Sequence, residues 1–470
     1  MSTTADRAAS IETRNPATGE ALRTYAPHDA AAVSALLDRA TAEAARWRTT
    51  SFAQRAERMR AAGAALRARK AELAALATRE MGKPLAEAEA EVEKCAVACD
   101  WFAANGEALL RDEIIASSAT RSYAAFRPLG VLLAIMPWNF PYWQAFRAAV
   151  PAMTAGNVVV LKHAANVTGC ALAIEEIFTA SGFAKGAFTT LLVGSKAMEP
   201  VVLDDRIAAV TLTGSEAAGS SVGALAGRAI KKTVMELGGS DFFIVLADAD
   251  LEQAAETGVK SRFQNTGQSC IAAKRFIVEE SVYDRFVEAF VAKAHALRVG
   301  DPADRATQIG PMARHDLRDE LAAQVKDTVA AGARLLLGGE PLPGPGAYFA
   351  PTVVGDVRTG MRMADEETFG PAAAMLRARD ADHAVELANS SRYGLGGNLW
   401  TSDVARGEEL AARLATGNVF INGMTASDPR LPFGGVKKSG VGRELSEFGI
   451  REFVNVQTVW IGPARITDRS

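Results

Sequence analysis

Apolar segments of strand length alternate with amphipathic segments through the middle of the chain. They occupy residues 131–137, 157–163, 188–194, 207–214 and 231–239, and helix-like sequence separates most of them. Strands that are apolar along their whole length are buried on both faces, as in parallel sheets. The alternation therefore predicts a doubly wound α/β unit with right-handed crossovers.

A second series of the same kind begins with DFFIVLADAD at 241–250 and ends near GNVFING at 417–423. The first hundred residues are instead rich in helical periodicity. Their long helical pattern is expected to stop at Gly82, with Pro84 opening the next helix. The sequence thus predicts two α/β units that follow a helix-rich segment.

Two strand-like segments, 120–128 and 451–462, fit neither series. We interpret them as a small β arm in which the two segments pair. The alternative is that they add edge strands to a parent sheet.

Charge and composition exclude several classes of partner. The formal net charge is −3, so no basic surface indicates nucleic acid or an anionic membrane. The longest apolar stretches are too short to span a bilayer, and the first residues contain no secretory apolar run. Four cysteines in 470 residues do not suggest a disulfide framework, and the five histidines are scattered. We expect a cytoplasmic protein without a metal site.

Polar residues stand where several predicted strands end. Asn139, Lys162 and Glu236 are three of them, and Gly214 and Ser215 form a turn between a strand and a helix. Parallel sheets bind ligands at the carboxyl ends of their strands, so these residues are expected to surround one crevice. The turn lacks a complete G-x-G-x-x-G pattern, although the helix behind it offers free N–H groups to a phosphate.

Cys270 follows the polar turn NTGQS and precedes the apolar run of AAKRFIV. A cysteine usually packs as a small core residue. Two interpretations therefore stay open from the residues alone. Either the thiol is buried beside a strand, or the turn presents it for reaction.

Asn139, Trp143 and Arg147 recur at intervals of four residues, with Pro141 suiting the first turn of a helix. An amide, an aromatic ring and a guanidinium on one helix face would suit a ligand pocket. The alternative is a helix cap, a core tryptophan and a solvated arginine.

Six motifs then occur in order between Pro137 and Glu444: PWNFP, LTGS, MELGG, NTGQSC, EETFGP and LPFGGVKKSGVGRE. Together they resemble the aldehyde dehydrogenase superfamily over nearly the whole chain. The segments LKHAANV and GQSCIAAKRFIV are most similar to those of bacterial succinate-semialdehyde dehydrogenases. The resemblance implies two Rossmann-like domains and an oligomerisation arm.

The resemblance also implies roles for individual residues. Cys270 corresponds to the nucleophile, Glu236 to the general base and Asn139 to the oxyanion-binding amide. The implied cofactor is NADP or NAD, and its implied contacts are Trp138, Lys162, Ala165, Gly214, Ser215, Leu237, Glu367 and Phe369. The implied substrate contacts are Trp143, Arg147, Ser427 and Phe433.

Two departures from the family pattern bear on specificity. Ala165 stands where NAD-using relatives often have a glutamate that repels a 2′-phosphate, so NADP is expected to serve at least as well as NAD. Gln264 stands where many relatives carry a second arginine for the substrate carboxylate. The carboxylate clamp is therefore expected to be weaker, or the substrate to differ.

The resulting domain prediction is a cofactor-binding domain of residues 1–118 and 129–236 and a catalytic domain of 237–445. Residues 119–128 and 446–470 would form the arm of a homodimer or homotetramer. The predicted reaction is NAD(P)-dependent oxidation of an aldehyde, succinic semialdehyde above others, through a thiohemiacetal and a thioester on Cys270. The alternatives are another aliphatic or aromatic aldehyde, a cysteine esterase or thioesterase without a redox step, and a non-catalytic relative.

Overall fold

The computed structural model describes residues 10–463. It begins with an antiparallel hairpin of two strands that the sequence analysis did not predict, followed by four helices. These elements are β1 (Ile11–Arg14), β2 (Ala21–Tyr25), α1 (Ala30–Trp47), α2 (Phe52–Ala68), α3 (Lys70–Met81) and α4 (Leu85–Leu109).

Local signals set the ends of these helices. Ser51 caps α2 with a capping box, and Gly82 closes α3 in the left-handed region at a φ of 79°. Helix α4 starts directly after Pro84, as expected. With 25 residues it is the longest helix. Neither it nor any other helix within residues 10–463 combines the length and apolarity needed to cross a membrane.

The first α/β unit contains alternating strands and helices. Its elements, with the two arm strands that precede it, are β3 (Glu113–Ile114), β4 (Arg121–Pro128), β5 (Val131–Met136), α5 (Trp143–Thr154), β6 (Val158–His163), α6 (Thr168–Ala180), β7 (Phe188–Thr190), α7 (Met198–Leu203), β8 (Ile207–Thr213), α8 (Glu216–Arg228) and β9 (Lys232–Glu236).

The second unit and the C-terminal elements follow in chain order. They are β10 (Asp241–Val245), α9 (Leu251–Phe263), β11 (Ala273–Glu279), α10 (Tyr283–His295), α11 (His315–Ala330), β12 (Arg334–Leu337), β13 (Thr352–Gly355), α12 (Arg362–Asp365), β14 (Ala372–Ala378), α13 (Ala381–Asn389), β15 (Tyr393–Gly394), β16 (Gly396–Trp400), α14 (Val404–Ala411), β17 (Asn418–Ile421), β18 (Val436–Lys437), β19 (Gly440–Val441), α15 (Ser446–Glu452) and β20 (Val454–Ile461).

Two large sheets organise the molecule. The first has the order β19-β9-β8-β5-β6-β7 and the second β12-β13-β14-β11-β10-β16-β17. Both are parallel except for β19 and β12, which pair antiparallel at one edge of each. Strand order in the first sheet reverses between β5 and β8, which is where such sheets bind ligands. The predicted fold class is confirmed.

The arm segments pair with each other in a separate sheet of order β20-β4-β3. Strand β20 runs antiparallel to β4 over eight residue pairs, from Val454 opposite Pro128 to Ile461 opposite Arg121. The pairing predicted for the arm is therefore present, and the edge-strand alternative is wrong. Residues 1–9 and 464–470 of the predicted domains lie outside the described residues. The domain boundaries and the oligomerisation role stay predictions.

Candidate active site

The loop that carries Cys270 lies between α9 and the start of β11. Two of its residues, Asn265 and Thr266, adopt left-handed backbone conformations with φ of 53° and 56°. The buried Lys274 ammonium donates hydrogen bonds to the carbonyls of Ser269 at 2.9 Å and Cys270 at 2.7 Å. Left-handed residues such as Asn265 and Thr266 are strained, and they persist only where the surrounding structure holds them. The loop therefore holds the Cys270 thiol in a fixed position.

Asparagine side chains tie this loop to the segment after β5. Asn139 Nδ2 donates to the Gln268 carbonyl at 3.0 Å. Asn265 Nδ2 donates to the carbonyls of Asn139 at 2.8 Å and Gln268 at 3.1 Å. The structure thus brings the predicted oxyanion amide to the loop of the predicted nucleophile, from 129 residues away in sequence.

The start of α5 differs from the sequence-based expectation. Asn139 was expected in a first helical turn, but α5 begins at Trp143 and Asn139 lies in the loop before it. The reason is the Glu91 carboxylate of α4, which accepts the N–H groups of Tyr142 at 2.8 Å and Trp143 at 2.9 Å. A carboxylate satisfies the free N–H groups and the positive dipole end of a helix, so Glu91 fixes where α5 starts.

A cavity of about 210 Å³ opens beside Cys270. All four residues predicted to contact substrate line the same cavity as the thiol. These are Trp143, Arg147, Ser427 and Phe433. Phe140, Ile271 and Met424 add apolar surface, and the only charged side chains on its described lining are Lys94 and Arg147. The cavity suits a small molecule with one apolar part and one anionic part.

Arg147 is buried, with 2% of its surface exposed, so the solvated-arginine alternative is wrong. Its guanidinium forms an ion pair with Glu444, and Nη2 donates to Thr213 Oγ1 at 3.2 Å. Its Cζ also lies 4.8 Å from the centre of the Phe433 ring. Arg147 therefore has protein partners already, and its binding of a substrate carboxylate stays a prediction.

Burial raises the pKa values of both Glu236 and Cys270. Burial raises the pKa of Glu236 well above its ordinary value, and neighbouring Glu444 raises it further against the opposing effect of Arg147. Burial also raises the pKa of the Cys270 thiol to about 12, although Arg147 and Lys274 favour its thiolate. The thiol therefore needs a proton acceptor when it reacts.

Residues at the strand ends of the first sheet form the other half of the site. The Gly214 N–H donates to the Glu236 carbonyl at 2.9 Å, which joins the ends of β8 and β9. Ser215 Oγ accepts the Ala218 N–H at 3.3 Å and caps α8. The N-terminus of α8 therefore lies at the carboxyl edge of the sheet, and its contact with a cofactor phosphate stays a prediction.

Lys162 lies in β6, and burial lowers the pKa of its ammonium. No acid of residues 10–463 forms an ion pair with it. Ala165 is exposed at the start of the short 3-10 turn that follows. A cation without a neighbouring carboxylate at this strand end is compatible with a phosphate group.

Four more residues of the predicted cofactor set lie just after β9, just after β5 and just before β14. Glu367 Oε1 accepts the Gly239 N–H at 2.9 Å and lies 3.7 Å from Lys274 Nζ. The Leu237 N–H donates to Ser439 at 2.9 Å. The rings of Trp138 and Phe369 meet edge to face, with centroids 5.7 Å apart. Lys274, which also donates to the Cys270 carbonyl, links Glu367 to the Cys270 loop.

Sequence reasoning missed Lys94, Lys274 and Glu444 as parts of the site. Glu444 ends the LPFGGVKKSGVGRE motif and Lys274 lies in AAKRF, so both belong to segments that the sequence analysis had already identified. Lys94 did not, because a lysine in the helical segment EVEKCAVAC is equally typical of a solvated helix face.

Comparison with known proteins agrees with this geometry. The sequence profile described as "Aldehyde dehydrogenase family" matches residues 3–459. The succinate-semialdehyde dehydrogenase [NADP(+)] of Mycobacterium avium is 53% identical over 462 residues, which cover 97% of this chain and 98% of that protein. The succinate semialdehyde dehydrogenase [NAD(P)+] of Escherichia coli K12 is 53% identical over 446 residues, 95% of this chain and 96% of that one.

Among solved structures, the succinic semialdehyde dehydrogenase of Streptococcus pyogenes in complex with NADP+ superimposes with a TM-score of 0.94. It is 35% identical in sequence, and the match covers 96% of this chain and 100% of that one. Taken with the Cys270 loop, its hydrogen bonds with Asn139 and the two Rossmann-like sheets, these matches show that the chain belongs to the aldehyde dehydrogenase family.

Proposed function

We propose that this protein oxidises succinic semialdehyde to succinate, with NADP as a hydride acceptor at least as good as NAD. The observation that carries the proposal is the cavity that holds the Cys270 thiol together with two cationic side chains and, among its described lining residues, no acidic one. The names of the relatives at 53% identity support the same substrate.

The first step forms a bond between Cys270 Sγ and the aldehyde carbon. The carbonyl oxygen becomes an oxyanion, and the Asn139 amide and the Cys270 N–H are its proposed donors. The clamp through Asn265 holds Asn139 at this loop before substrate arrives. A preorganised donor of this kind contributes ~3–4 kcal/mol to lowering the barrier.

Proton transfer is the second requirement. The neutral Cys270 thiol must lose a proton as it attacks, and Glu236 is the proposed acceptor, directly or through water. A bound nicotinamide dinucleotide supplies the hydride acceptor, and a thioester on Cys270 remains. Glu236 releases this first proton to solvent. It then takes a proton from the water that hydrolyses the thioester and returns it to the departing Cys270 sulfur. Aldehyde, oxidised cofactor and water thus give acid, reduced cofactor and a proton.

The residues of the crevice fit such a dinucleotide. Lys162 has no acidic partner among residues 10–463, and Ala165 places no carboxylate beside it. These two features support acceptance of a 2′-phosphate. Glu367, held by Gly239 and Lys274, is the proposed contact of the nicotinamide ribose.

A panel of aldehydes with both cofactors tests the proposal, with formation of reduced nicotinamide as the readout. Succinic semialdehyde should give a higher kcat/KM than butanal or benzaldehyde, and NADP should equal or exceed NAD. Preference for an uncharged aldehyde would contradict the substrate. Hydrolysis of a thioester substrate without reduction of any cofactor by any aldehyde would favour the esterase alternative.

A further inference from the structure

Lys94 reaches the aldehyde cavity from helix α4, one turn after Glu91. Its Nζ donates to Ser427 Oγ at 2.7 Å and lies 4.3 Å from the centre of the Trp143 ring. Glu91 and Lys94 thus face α5 from the same side of α4. Glu91 fixes the start of α5, and Lys94 lies against the side chain of Trp143, the first residue of α5. The ammonium is part of the cavity wall.

Lys94 forms no ion pair with any acid of residues 10–463. The two carboxylates that influence it electrostatically, Glu91 and Asp428, are already paired with Lys83 and Arg430. Lys94 is half-buried, and even partial removal of a charge from water is costly without a counterion. The cost is offset when a ligand brings the missing negative charge.

The two cations of the cavity therefore differ. Arg147 has Glu444 as its counterion, whereas Lys94 has none within residues 10–463. Gln264, at the position where relatives carry a second arginine, lines the cavity with a neutral amide. The uncompensated positive charge of the cavity is that of Lys94.

Ser427 provides a second, independent indication of an anionic ligand. Its Oγ accepts hydrogen bonds from Lys94 Nζ at 2.7 Å and from Trp143 Nε1 at 3.0 Å. A hydroxyl has two acceptor sites and one proton, so both acceptor sites are used. The proton has no acceptor within the part of the chain that the structure describes. An acceptor-only group in the cavity would satisfy it.

We propose that Lys94, with the Ser427 hydroxyl, binds the distal carboxylate of the aldehyde substrate and is the cation that selects for it. This inference rests on the proposed function, because it assigns a subsite of the same cavity. A carboxylate placed here accepts one hydrogen bond from Ser427 and one from Lys94, whose remaining N–H groups have no acceptor among residues 10–463.

The protonation of Lys94 agrees with this assignment. Burial, and next the positive charge of Arg147, lower its pKa to about 8, while Cys95, Glu91 and Asp428 act in the opposite direction. The ammonium is therefore charged near pH 7 and neutral at alkaline pH.

The test compares succinic semialdehyde with its methyl ester, which has the same carbon chain but no charge. The ratio of their kcat/KM values cancels effects on the thiol, the base and the cofactor. Lys94→Met should lower this ratio by at least about tenfold, the loss typical of a charge-assisted hydrogen bond. Lys94→Arg should keep it within about threefold, since the charge is retained.

Lys326→Met is the matched control, because Lys326 is exposed on α11 and does not line the cavity. It removes the same charge and should leave the ratio unchanged. If the wild type shows no preference for the charged substrate, the proposed function fails. If the wild type prefers it and Lys94→Met keeps the ratio within about twofold, the Lys94 assignment alone is overturned.

The wild type itself provides a second measurement that needs no folded variant. The same ratio should fall as pH rises through about 8, because Lys94 loses its charge there. A ratio that stays constant between pH 7 and pH 10 would overturn the assignment.

Discussion

The cofactor crevice and the aldehyde cavity of this protein are built in different ways. Lys162 lies at the end of β6 and the Gly214–Ser215 turn follows β8, on either side of β5, so sheet topology alone places them at the same edge. The cavity instead joins α4, α5, the Cys270 loop and the segment before β18. Its Lys94–Ser427 contact spans 333 residues. The order of strands and helices therefore predicts the crevice from sequence. The cavity depends on tertiary contacts that this order does not predict.

The largest expected effect separates chemistry in the cavity from binding in the crevice. Cys270→Ala should lower kcat/KM for every aldehyde by at least about 10³-fold with either cofactor, since the nucleophile is lost. The Kd for NADP, measured by titration, should change little. Cys99→Ala, a buried thiol of α4 away from the cavity, is the control and should stay active. Retained activity in the Cys270 variant would remove the thiol from the mechanism.

Asn139→Ala should have the next largest effect, a decrease of about 10²–10³-fold in kcat with a smaller change in KM. The physical reason is that the amide stabilises charge that develops only in the transition state. Steady-state kinetics with saturating cofactor measures it. An increase confined to KM would assign Asn139 to ground-state binding instead.

The two cations of the cavity should differ in their effect on stability. Arg147→Met leaves the buried Glu444 without its partner, so the free energy of unfolding should fall by about 3–5 kcal/mol. Adding Glu444→Gln should recover most of this loss. Lys94→Met should not destabilise the protein, because no buried carboxylate in the described part of the chain pairs with it. Denaturant unfolding of the four proteins checks these differences, and equal losses from Arg147→Met and Lys94→Met would contradict them.

The smallest expected effect lies in the crevice. Ala165→Glu should lower kcat/KM with NADP by about tenfold relative to NAD, because a carboxylate near Lys162 repels a 2′-phosphate. Ala165→Gln, of similar size without charge, is the control and should preserve the ratio. If both variants lower the ratio equally, steric obstruction would explain the effect and the electrostatic account would be wrong.

The same difference between crevice and cavity explains which features of the fold and the site could be predicted from the sequence. Both sheets and the arm pairing were predictable, because continuous apolar strands and their alternation with helices restrict the topology. The turn at Gly214 and the amide at Asn139 were identified from their places after strands. The exact start of α5 was not, because it depends on a carboxylate from α4.

Lys94 marks where sequence reasoning ended. Its helix pattern predicts one face toward the core but does not specify which side chain reaches Ser427 across the fold. Arg147 shows a different limit: its spacing from Asn139 and Trp143 was compatible with a pocket but gave no sign of the Glu444 carboxylate that pairs with it. Which residue serves as the counterion of a buried charge depends on tertiary packing.

The most direct test of the mechanism is to trap the acyl group on the proposed nucleophile. Glu236→Gln should form the thioester more slowly, because the thiol loses its proposed proton acceptor, and should hydrolyse it more slowly still, because the base that activates water is missing. Mass spectrometry of this variant after mixing with succinic semialdehyde and NADP should find a succinyl adduct on the peptide containing Cys270. Release of reduced cofactor in a burst without any adduct on Cys270, or with the adduct on another residue, would contradict the account.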